Sequence, residues 1–246
     1  MLRNTPAFFL FAMLLCGCSP KELQLNLMPL WREAPVECQQ EFDFNGVLWR
    51  LDRLQFYLMD VAVLDKEQQR YQVPGLYYLG IVCDSESERQ LAIKTPIPED
   101  EIQELEFHIG VPFELNHANP LTLASPLGRS DMFWSWQLGH KFFRLDLSRK
   151  LGGGWAFHLG STGCESPSKV RAPKAPCRFP NRAKVRIKRT KGQNLLVLSL
   201  DQLLTVEELS DKTRCMSFPD IASCKRLMSN LGVEGESQVF SLRKGL

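Results

Sequence analysis

The stretch FDFNGVLWRLDRLQFYLMDVAVL, residues 42–64, indicates the class of fold. Its apolar runs are rich in aromatic and β-branched side chains, which favour extended backbone. Asn45-Gly46 divides two of these runs, and this dipeptide is a strong signal for a tight turn between strands. The stretch therefore predicts consecutive β-strands separated by a turn.

Similar short strands are predicted on both sides of this stretch. Residues 23–27 alternate strictly between apolar and polar side chains, which is typical of a half-buried strand. Gly and Pro residues separate the other runs, and Gly152-Gly153-Gly154 predicts a hairpin turn. This spacing favours an all-β fold, an antiparallel β-sandwich or open barrel, over a parallel α/β sheet. Further strands are predicted at 75–82, 105–111, 132–147, 155–159, 185–187 and 195–200.

Helical signals are scarce until the C-terminal part of the chain. Thr205-Val206-Glu207-Glu208 has the Thr-x-x-Glu form of a capping box, which predicts a short helix or two from this point. Cys215 and Cys224 lie in the same part, so a local disulfide is expected there. No repeat or linker divides the chain after its leader, and residues 18–246 are therefore predicted to form one domain.

The N-terminus has the pattern of an export signal. A basic residue, Arg3, precedes an apolar run at 7–15, which is long enough for a signal sequence but too short to span a bilayer. We therefore assign residues 1–17 to a signal peptide and expect the mature protein outside the cytoplasm, in the periplasm.

The signal ends in Leu15-Cys16-Gly17-Cys18, which resembles a bacterial lipobox. In that motif the final cysteine carries the lipid, so Cys18 is predicted to anchor the protein to a membrane. Ser19 is a residue type that commonly accompanies the outer membrane, which predicts an outer-membrane lipoprotein. Cys16 is unusual at its position, and ordinary signal peptidase cleavage is the alternative.

Six cysteines remain once Cys16 and Cys18 are set aside. An even number in an oxidising compartment predicts three disulfides, and the residues alone leave all fifteen pairings open. No Cys-x-x-Cys or Cys-x-x-Cys-His arrangement occurs among them, which argues against a zinc finger or a covalently attached haem. The six are Cys38, Cys83, Cys164, Cys177, Cys215 and Cys224.

Several function classes lack their motifs here. The sequence contains no Gly-x-Ser-x-Gly, no His-Glu-x-x-His, no phosphate-binding glycine loop and no dinucleotide fingerprint. The formal net charge of +2 gives little information about partners, and 44% hydrophobic residues are enough for a core.

A basic stretch lies at 167–191, with ten Lys or Arg residues and no acidic residue. We favour a solvated loop followed by the exposed face of a strand at 184–188. A docking surface for an acidic protein or anionic headgroups is the alternative, and nucleic acid is not expected as a partner of an exported protein.

Two tryptophans are the most distinctive feature. Strand alternation through Met132-Phe133-Trp134-Ser135-Trp136 places Met132, Trp134 and Trp136 on one face. Taken alone, such a pair is more often core packing than a functional group, because Trp contributes a large buried area.

The four histidines differ in their surroundings. His117 lies in a turn-rich loop, His158 is flanked by aromatic residues, and His108 shares the polar side of its strand with Glu106. Imidazole and thioether groups are good copper ligands. From spacing alone, however, histidines satisfied at the surface or in the core are the simpler interpretation.

Several segments together resemble the MbnP-like family, also called metallo-mystery pair four-Cys motif proteins. The resemblance runs in order along nearly the whole mature chain. The matching segments are Gly110–Phe113, Asn116–Pro120, Met132–Trp136, Gly139–Phe142, His158–Cys164, Cys177, Asn181, Cys215–Ser217 and Cys224.

The resemblance implies a periplasmic copper-binding protein that works with a dihaem cytochrome peroxidase-like partner. That partner is thought to oxidise a tryptophan to kynurenine, which joins histidines in binding copper. The match assigns the modification to Trp134 or Trp136 and copper to His117 and His158. It also identifies the last four cysteines as the family's motif, which leaves Cys38 and Cys83 as an additional pair.

His140 departs from the family pattern, where a tyrosine is expected; it either adds a ligand or replaces the ring. If the strand continued unbroken, His140 would share a face with the two tryptophans, but Gly139 favours a bulge that resets this alternation. The leading prediction is a non-enzymatic copper-binding lipoprotein for copper acquisition or handling. The alternatives are a lipid-anchored interaction module without metal and, least favoured, a copper redox enzyme.

Overall fold

The computed structural model describes residues 21–245, so the predicted signal peptide, Cys18 and Ser19 lie outside the described residues. The strands are β1 (Glu22–Trp31), β2 (Ala34–Pro35), β3 (Glu41–Phe44), β4 (Val47–Leu64), β5 (Arg70–Gln72), β6 (Tyr77–Val82), β7 (Gln90–Lys94), β8 (Glu104–Ile109), β9 (Phe133–Ser135), β10 (Gly139–His140), β11 (Phe143–Ser148), β12 (Gly154–Leu159), β13 (Ala183–Lys188), β14 (Gln193–Ser199) and β15 (Phe240–Lys244). The helices are α1 (Phe113–Asn116), α2 (Leu200–Leu203) and α3 (Ala222–Leu231), with 3₁₀ turns at Glu99–Glu101 and Ser130–Met132.

Two sheets carry the fold. The larger, eight-stranded sheet has the order β12-β11-β4-β8-β13, and β3, β5 and β6 also pair with the long strand β4. The five-stranded sheet has the order β15-β14-β1-β2, with β7 also on β1. Across residues 21–245 the strand pairs are antiparallel except β1 with β14, so the predicted all-β antiparallel class is confirmed.

The core lies between the two sheets. The Phe56 ring of β4 is 5.7 Å from the Phe240 ring of β15, and Phe107 of β8 contacts the same ring at 5.9 Å. These centroid distances are typical of packed aromatic pairs. The packing corresponds to the sandwich rather than the open barrel of the prediction.

Both predicted hairpin turns are confirmed. Asn45 and Gly46 have φ values of 52° and 83°, as a two-residue turn of the primed type requires. They join β3 to β4, with Phe44 paired to Val47. Gly152 and Gly153 likewise lie between β11 and β12, and Gly154 is the first residue of β12.

Side-chain alternation in β8 also agrees with the prediction. Leu105, Phe107 and Ile109 are buried, whereas His108 remains partly exposed on the opposite face. There, His108 Nδ1 lies 3.6 Å from a carboxylate oxygen of Asp60.

The prediction of one continuous strand at 132–147 is wrong. Met132 ends a 3₁₀ turn, and the chain reverses after Ser135, whose hydroxyl accepts a hydrogen bond from the Leu138 amide at 3.1 Å. The register shifts at Gly139, which has a φ of 75°. Trp136 therefore lies in the turn, and the expected shared face with Met132 and Trp134 does not form.

The predicted helix start at Thr205 is also wrong, although short helices occur on both sides of it. The Thr205 amide donates to Leu203 O at 3.0 Å, just after the short helix α2. Its hydroxyl accepts a hydrogen bond from Asn230 of α3 at 2.7 Å, so it does not cap a helix of its own. The longer helix α3 ends at Gly232, which has the left-handed conformation common at such ends.

Three disulfides connect the six cysteines that follow the predicted lipobox, as their number predicts. The pairs are Cys38–Cys83, Cys164–Cys177 and Cys215–Cys224. The last is the local C-terminal bridge, and Cys215 also pairs with the sheet because its carbonyl accepts a hydrogen bond from the His158 amide at 2.8 Å.

Between residues 21 and 245 no helix has both the length and the apolar character needed to cross a membrane.

Candidate functional site

A row of polar side chains crosses three neighbouring strands on the outer face of the eight-stranded sheet. Gln55 of β4 is paired with Arg144 of β11, and Arg144 is paired with His158 of β12. Their neighbours along the strands, such as Phe143 and Phe157, point into the core. The strand register therefore brings these three polar groups together.

His158 is held by a carboxylate from the adjacent strand. Its Nε2 lies 2.6 Å from Asp146 Oδ1, and Arg144 donates to the other carboxylate oxygen at 2.7 Å. Burial lowers the pKa of His158, and Asp146 opposes this shift. Burial would raise the pKa of Asp146, but the bonds to His158 and Arg144 outweigh it, and its pKa is lowered.

Trp134 packs against this histidine. The two rings meet edge to face, with centroids 6.1 Å apart. Gly160, just after β12, allows the approach, because a Cβ there would meet the indole at 3.1 Å and the His140 carbonyl at 2.8 Å. The structure therefore brings the predicted residues Trp134 and His158 together.

His117 lies on the other side of the chain reversal, directly after α1. Its ring packs on Phe113, with centroids 4.9 Å apart. Its Nε2 is 3.1 Å from the Asn116 amide nitrogen and 3.5 Å from Cys177 Sγ. Burial lowers the pKa of His117, and the backbone of Trp136 opposes this shift.

The second ring nitrogen of His117 is the unusual atom. Nδ1 is buried and no hydrogen bond of good geometry reaches it within the described chain, although the Trp136 backbone lies close enough to raise the pKa of the ring. A buried polar atom without a partner is costly and rare, so it requires an explanation such as a bound ion.

His140 is held as a structural residue. The side chain is fully buried, and its two ring nitrogens lie 3.3 Å from the carbonyl oxygens of Asn116 and Leu127. The Asn116 side chain also accepts from the His140 amide at 2.7 Å. Burial lowers the pKa of His140. Both nitrogens have partners, so this arrangement offers no free ligand atom.

Trp136 has different neighbours from Trp134. Its ring meets Phe133 edge to face, with centroids 6.4 Å apart. It also lines an apolar groove with Leu121, a side chain that is 88% exposed. Within residues 21–245, no ring contact joins Trp136 to either His117 or His158.

One compact group of potential metal ligands occurs in the described residues. The donor atoms of His117, Cys164 and Cys177 lie within 4.8 Å of one another. However, the two sulfur atoms form a disulfide, and the ligand form of cysteine is the thiolate. The group therefore supplies one metal ligand, His117, and the disulfide fixes the surroundings of that ring.

Two imidazole rings remain as potential metal ligands. A metal on His117 Nδ1 requires the ring proton on Nε2, where Cys177 Sγ lies 3.5 Å away as an acceptor, in place of the contact with the Asn116 amide. At His158, the hydrogen bond from Nε2 to Asp146 leaves the lone pair of Nδ1 available to a metal. Carboxylate support of this kind is general for metal-binding histidines. No hydrogen bond or ring contact joins His117 to His158 in the described chain.

Part of the basic stretch, the strand β13 and the residues just after it, is neutralised within the chain. Lys184 pairs with Glu236 at 2.6 Å, and Arg186 contacts Glu106 at 3.0 Å. Arg189 is buried against Glu99. These pairs favour the interpretation of a solvated strand face.

Sequence reasoning missed Asp146 and Asn116. The predicted hairpin turn at 152–154 carried a signal for Asp146, because counting back from the turn places it diagonal to His158. The contact of Asn116 with His140 carried no comparable signal, since it depends on a loop returning to the sheet.

Comparison with known proteins agrees with this architecture. MbnP from Methylosinus trichosporium has a similar structure, with a TM-score of 0.76 and 17% sequence identity, over 92% of this chain and 99% of that chain. No curated protein matches in sequence. A family model, MbnP, matches residues 20–217. The chain therefore belongs to the MbnP family.

Proposed function

We propose that this protein is a non-enzymatic, exported copper-binding protein that serves copper acquisition or handling. His117 and His158 would supply imidazole ligands, and Trp134, which packs against His158, would join them as a third group after oxidation to kynurenine. The observation that carries the proposal is the buried, unpartnered Nδ1 of His117. Bound copper would satisfy this atom.

The proposed ligands have chemistry suited to the metal. Neutral imidazole binds copper well, and burial lowers the pKa of both histidines, which favours the neutral ring. Kynurenine carries an aryl amine and a ketone, whereas the intact indole offers no lone pair of comparable donor strength. The contact of Trp134 with His158 favours Trp134 over Trp136 as the modified residue.

The modification requires an oxidant, which the dihaem peroxidase-like partner would use in the form of peroxide. Two equivalents of peroxide accept four electrons and become two waters. Their other two oxygens cleave the indole C2–C3 bond and give N-formylkynurenine. Water then releases formate and leaves kynurenine, with one carbon lost and one oxygen gained relative to tryptophan.

The proposed location is the periplasmic side of a membrane. Three disulfides support an extracytoplasmic compartment. A lipid on Cys18 would anchor the protein to the outer membrane through the segment that precedes β1. The protein would present its copper site as a tethered domain.

The test is to produce the protein with a dihaem peroxidase-like partner, measure the mass of the peptide containing Trp134 and Trp136, and titrate copper(I) and copper(II) against a chromophoric chelator. We expect a kynurenine mass on Trp134 and copper binding that is lost in His117→Ala and His158→Ala. His108→Ala is the matched control, because His108 is a partly buried histidine in the same sheet but outside the site.

Two results would contradict the proposal. An unmodified peptide without copper binding would instead favour an interaction module, for which the groove beside Trp136 and Leu121 is the available apolar surface. An equal loss of copper binding in His108→Ala would indicate that copper binds nonspecifically to histidines of this protein.

A further inference from the structure

The hydrogen bond between His158 and Asp146 determines which nitrogen of the imidazole carries the proton. An ionised carboxylate only accepts hydrogen bonds, so the 2.6 Å contact of Asp146 Oδ1 with His158 Nε2 requires a proton on Nε2. The neutral ring then has its lone pair on Nδ1. In the described chain, Nδ1 makes no hydrogen bond.

Arg144 fixes the carboxylate in this orientation. Its Nε and Nη2 atoms both lie 2.7 Å from Asp146 Oδ2, which leaves Oδ1 for the histidine. The remaining nitrogen, Nη1, donates to the Asp131 carbonyl at 2.9 Å. Asp131 lies three residues before Trp134, so one guanidinium group ties the support of His158 to the segment that carries the indole.

From this arrangement we propose that Asp146 is a positioning residue that holds His158 in the Nε2–H tautomer and reserves Nδ1 for copper. Arg144 orients the Asp146 carboxylate and also bonds to the segment that carries Trp134. The inference rests on the proposed copper site, but it concerns an atom arrangement that exists before metal binds. Asp146 touches His158 and need not touch the metal.

The test uses Asp146→Asn, which keeps the size of the side chain but adds an amide that can donate to Nε2. In the catalytic triad of serine proteases, the same exchange of Asp for Asn keeps the geometry but selects the wrong histidine tautomer. Long-range ¹⁵N NMR of the metal-free protein distinguishes protonated from unprotonated ring nitrogens. We expect the wild-type His158 to carry its proton on Nε2, and D146N to shift it to Nδ1.

Copper(I) affinity supplies the second measurement. We expect D146N to weaken binding by about 10- to 100-fold, the usual effect of losing such support. Asp146→Glu should retain the wild-type tautomer, because it restores a group that only accepts. Asp60→Asn is the matched control: it alters the second His–Asp pair of the sheet, at His108, and should leave His158 unchanged.

The outcomes separate this inference from the proposed function. An Nδ1–H tautomer in the wild type, or an unchanged tautomer in D146N with intact copper binding, would overturn the role of Asp146. A wild-type protein with the expected tautomer but no copper binding would overturn the copper site, and with it the purpose assigned to the tautomer.

Discussion

His158 and His117 are held in different ways. His158 lies on a strand near the open end of the β11–β12 hairpin, where its carboxylate partner is set by the pairing of the two strands. His117 lies in a loop, and its position depends on Asn116 and on the Cys164–Cys177 disulfide.

The site therefore has a strand-built half, around His158, and a loop-built half, around His117. Backbone pairing across a packed sheet fixes the strand-built half. The position of His158 is therefore lost only when the sheet itself unfolds. A loop lacks that support and needs individual bonds and crosslinks, which can be removed one at a time. The loop-built half should therefore be the more easily disturbed by single changes.

Removing the loop disulfide should give the largest effect on the candidate site. We expect Cys164→Ala with Cys177→Ala to lower the free energy of unfolding by about 3 kcal/mol, because the bridge closes a short loop of sequence separation 13. Denaturant unfolding measures the loss, and NMR of the histidine rings should show that His117 changes while His158 does not.

The control for this experiment is the bridge between Cys38 and Cys83. Its removal should cost about 4 kcal/mol, because the loop it closes is longer, with a sequence separation of 45. It should nevertheless leave both histidine spectra intact. A change at His158 that equals the change at His117 in the first variant would contradict the division into two halves.

The same division explains which features the sequence could predict. The Asn45-Gly46 turn and the alternation of Leu105, Phe107 and Ile109 depend on local backbone chemistry and on periodicity, and both predictions were confirmed. The bulge expected at Gly139 is confirmed, but the strand predicted at 132–147 failed because the chain turns at residues 136–138 and packs against the distant Asn116 side chain.

The candidate site likewise has features that the sequence could predict and features that it could not. The family resemblance named Trp134 and His158, and the structure brings these two residues together. Neither the periodicity nor the resemblance indicated that Nδ1 of His117 would be buried without a partner, because this depends on packing against Phe113 and Cys177. Contacts between distant loop segments leave no periodic trace in the sequence.

A single loop residue should give the next largest effect. Asn116→Ala removes the acceptor for the buried His140 amide and the neighbour of His117 Nε2. We expect a loss of about 2 kcal/mol in the free energy of unfolding, because a buried donor is left without a partner. The measurement is denaturant unfolding at neutral pH.

Asn119→Ala is the control for Asn116→Ala, because Asn119 is an exposed asparagine of the same loop region. This change should alter stability by less than about 0.5 kcal/mol. Equal losses in the two variants would mean that the loop responds to any asparagine change, and the specific role of Asn116 would be wrong.

The smallest expected effect is on the pH dependence of stability. Burial lowers the pKa of His117, His140 and His158 from the ordinary value of 6.5. A group with a lowered pKa in the folded state stabilises the fold above its unfolded pKa, and this contribution is lost as the pH falls through the folded pKa. The protein should therefore begin to lose stability as the pH falls below 6.5, before Asp146 is protonated.

The two halves should contribute unequally to this loss. At His158 the adjacent Asp146 carboxylate opposes the lowering of the pKa by favouring the charged ring, whereas at His117 and His140 only neutral backbone groups oppose it. We therefore expect His117→Gln to flatten the decline in unfolding free energy between about pH 7 and about pH 5 more than His158→Gln does. Denaturant unfolding across this range measures both slopes. If His158→Gln flattened this slope more, the Asp146 carboxylate would not offset the effect of burial on the pKa of His158. The strand-built half would then be the acid-sensitive one.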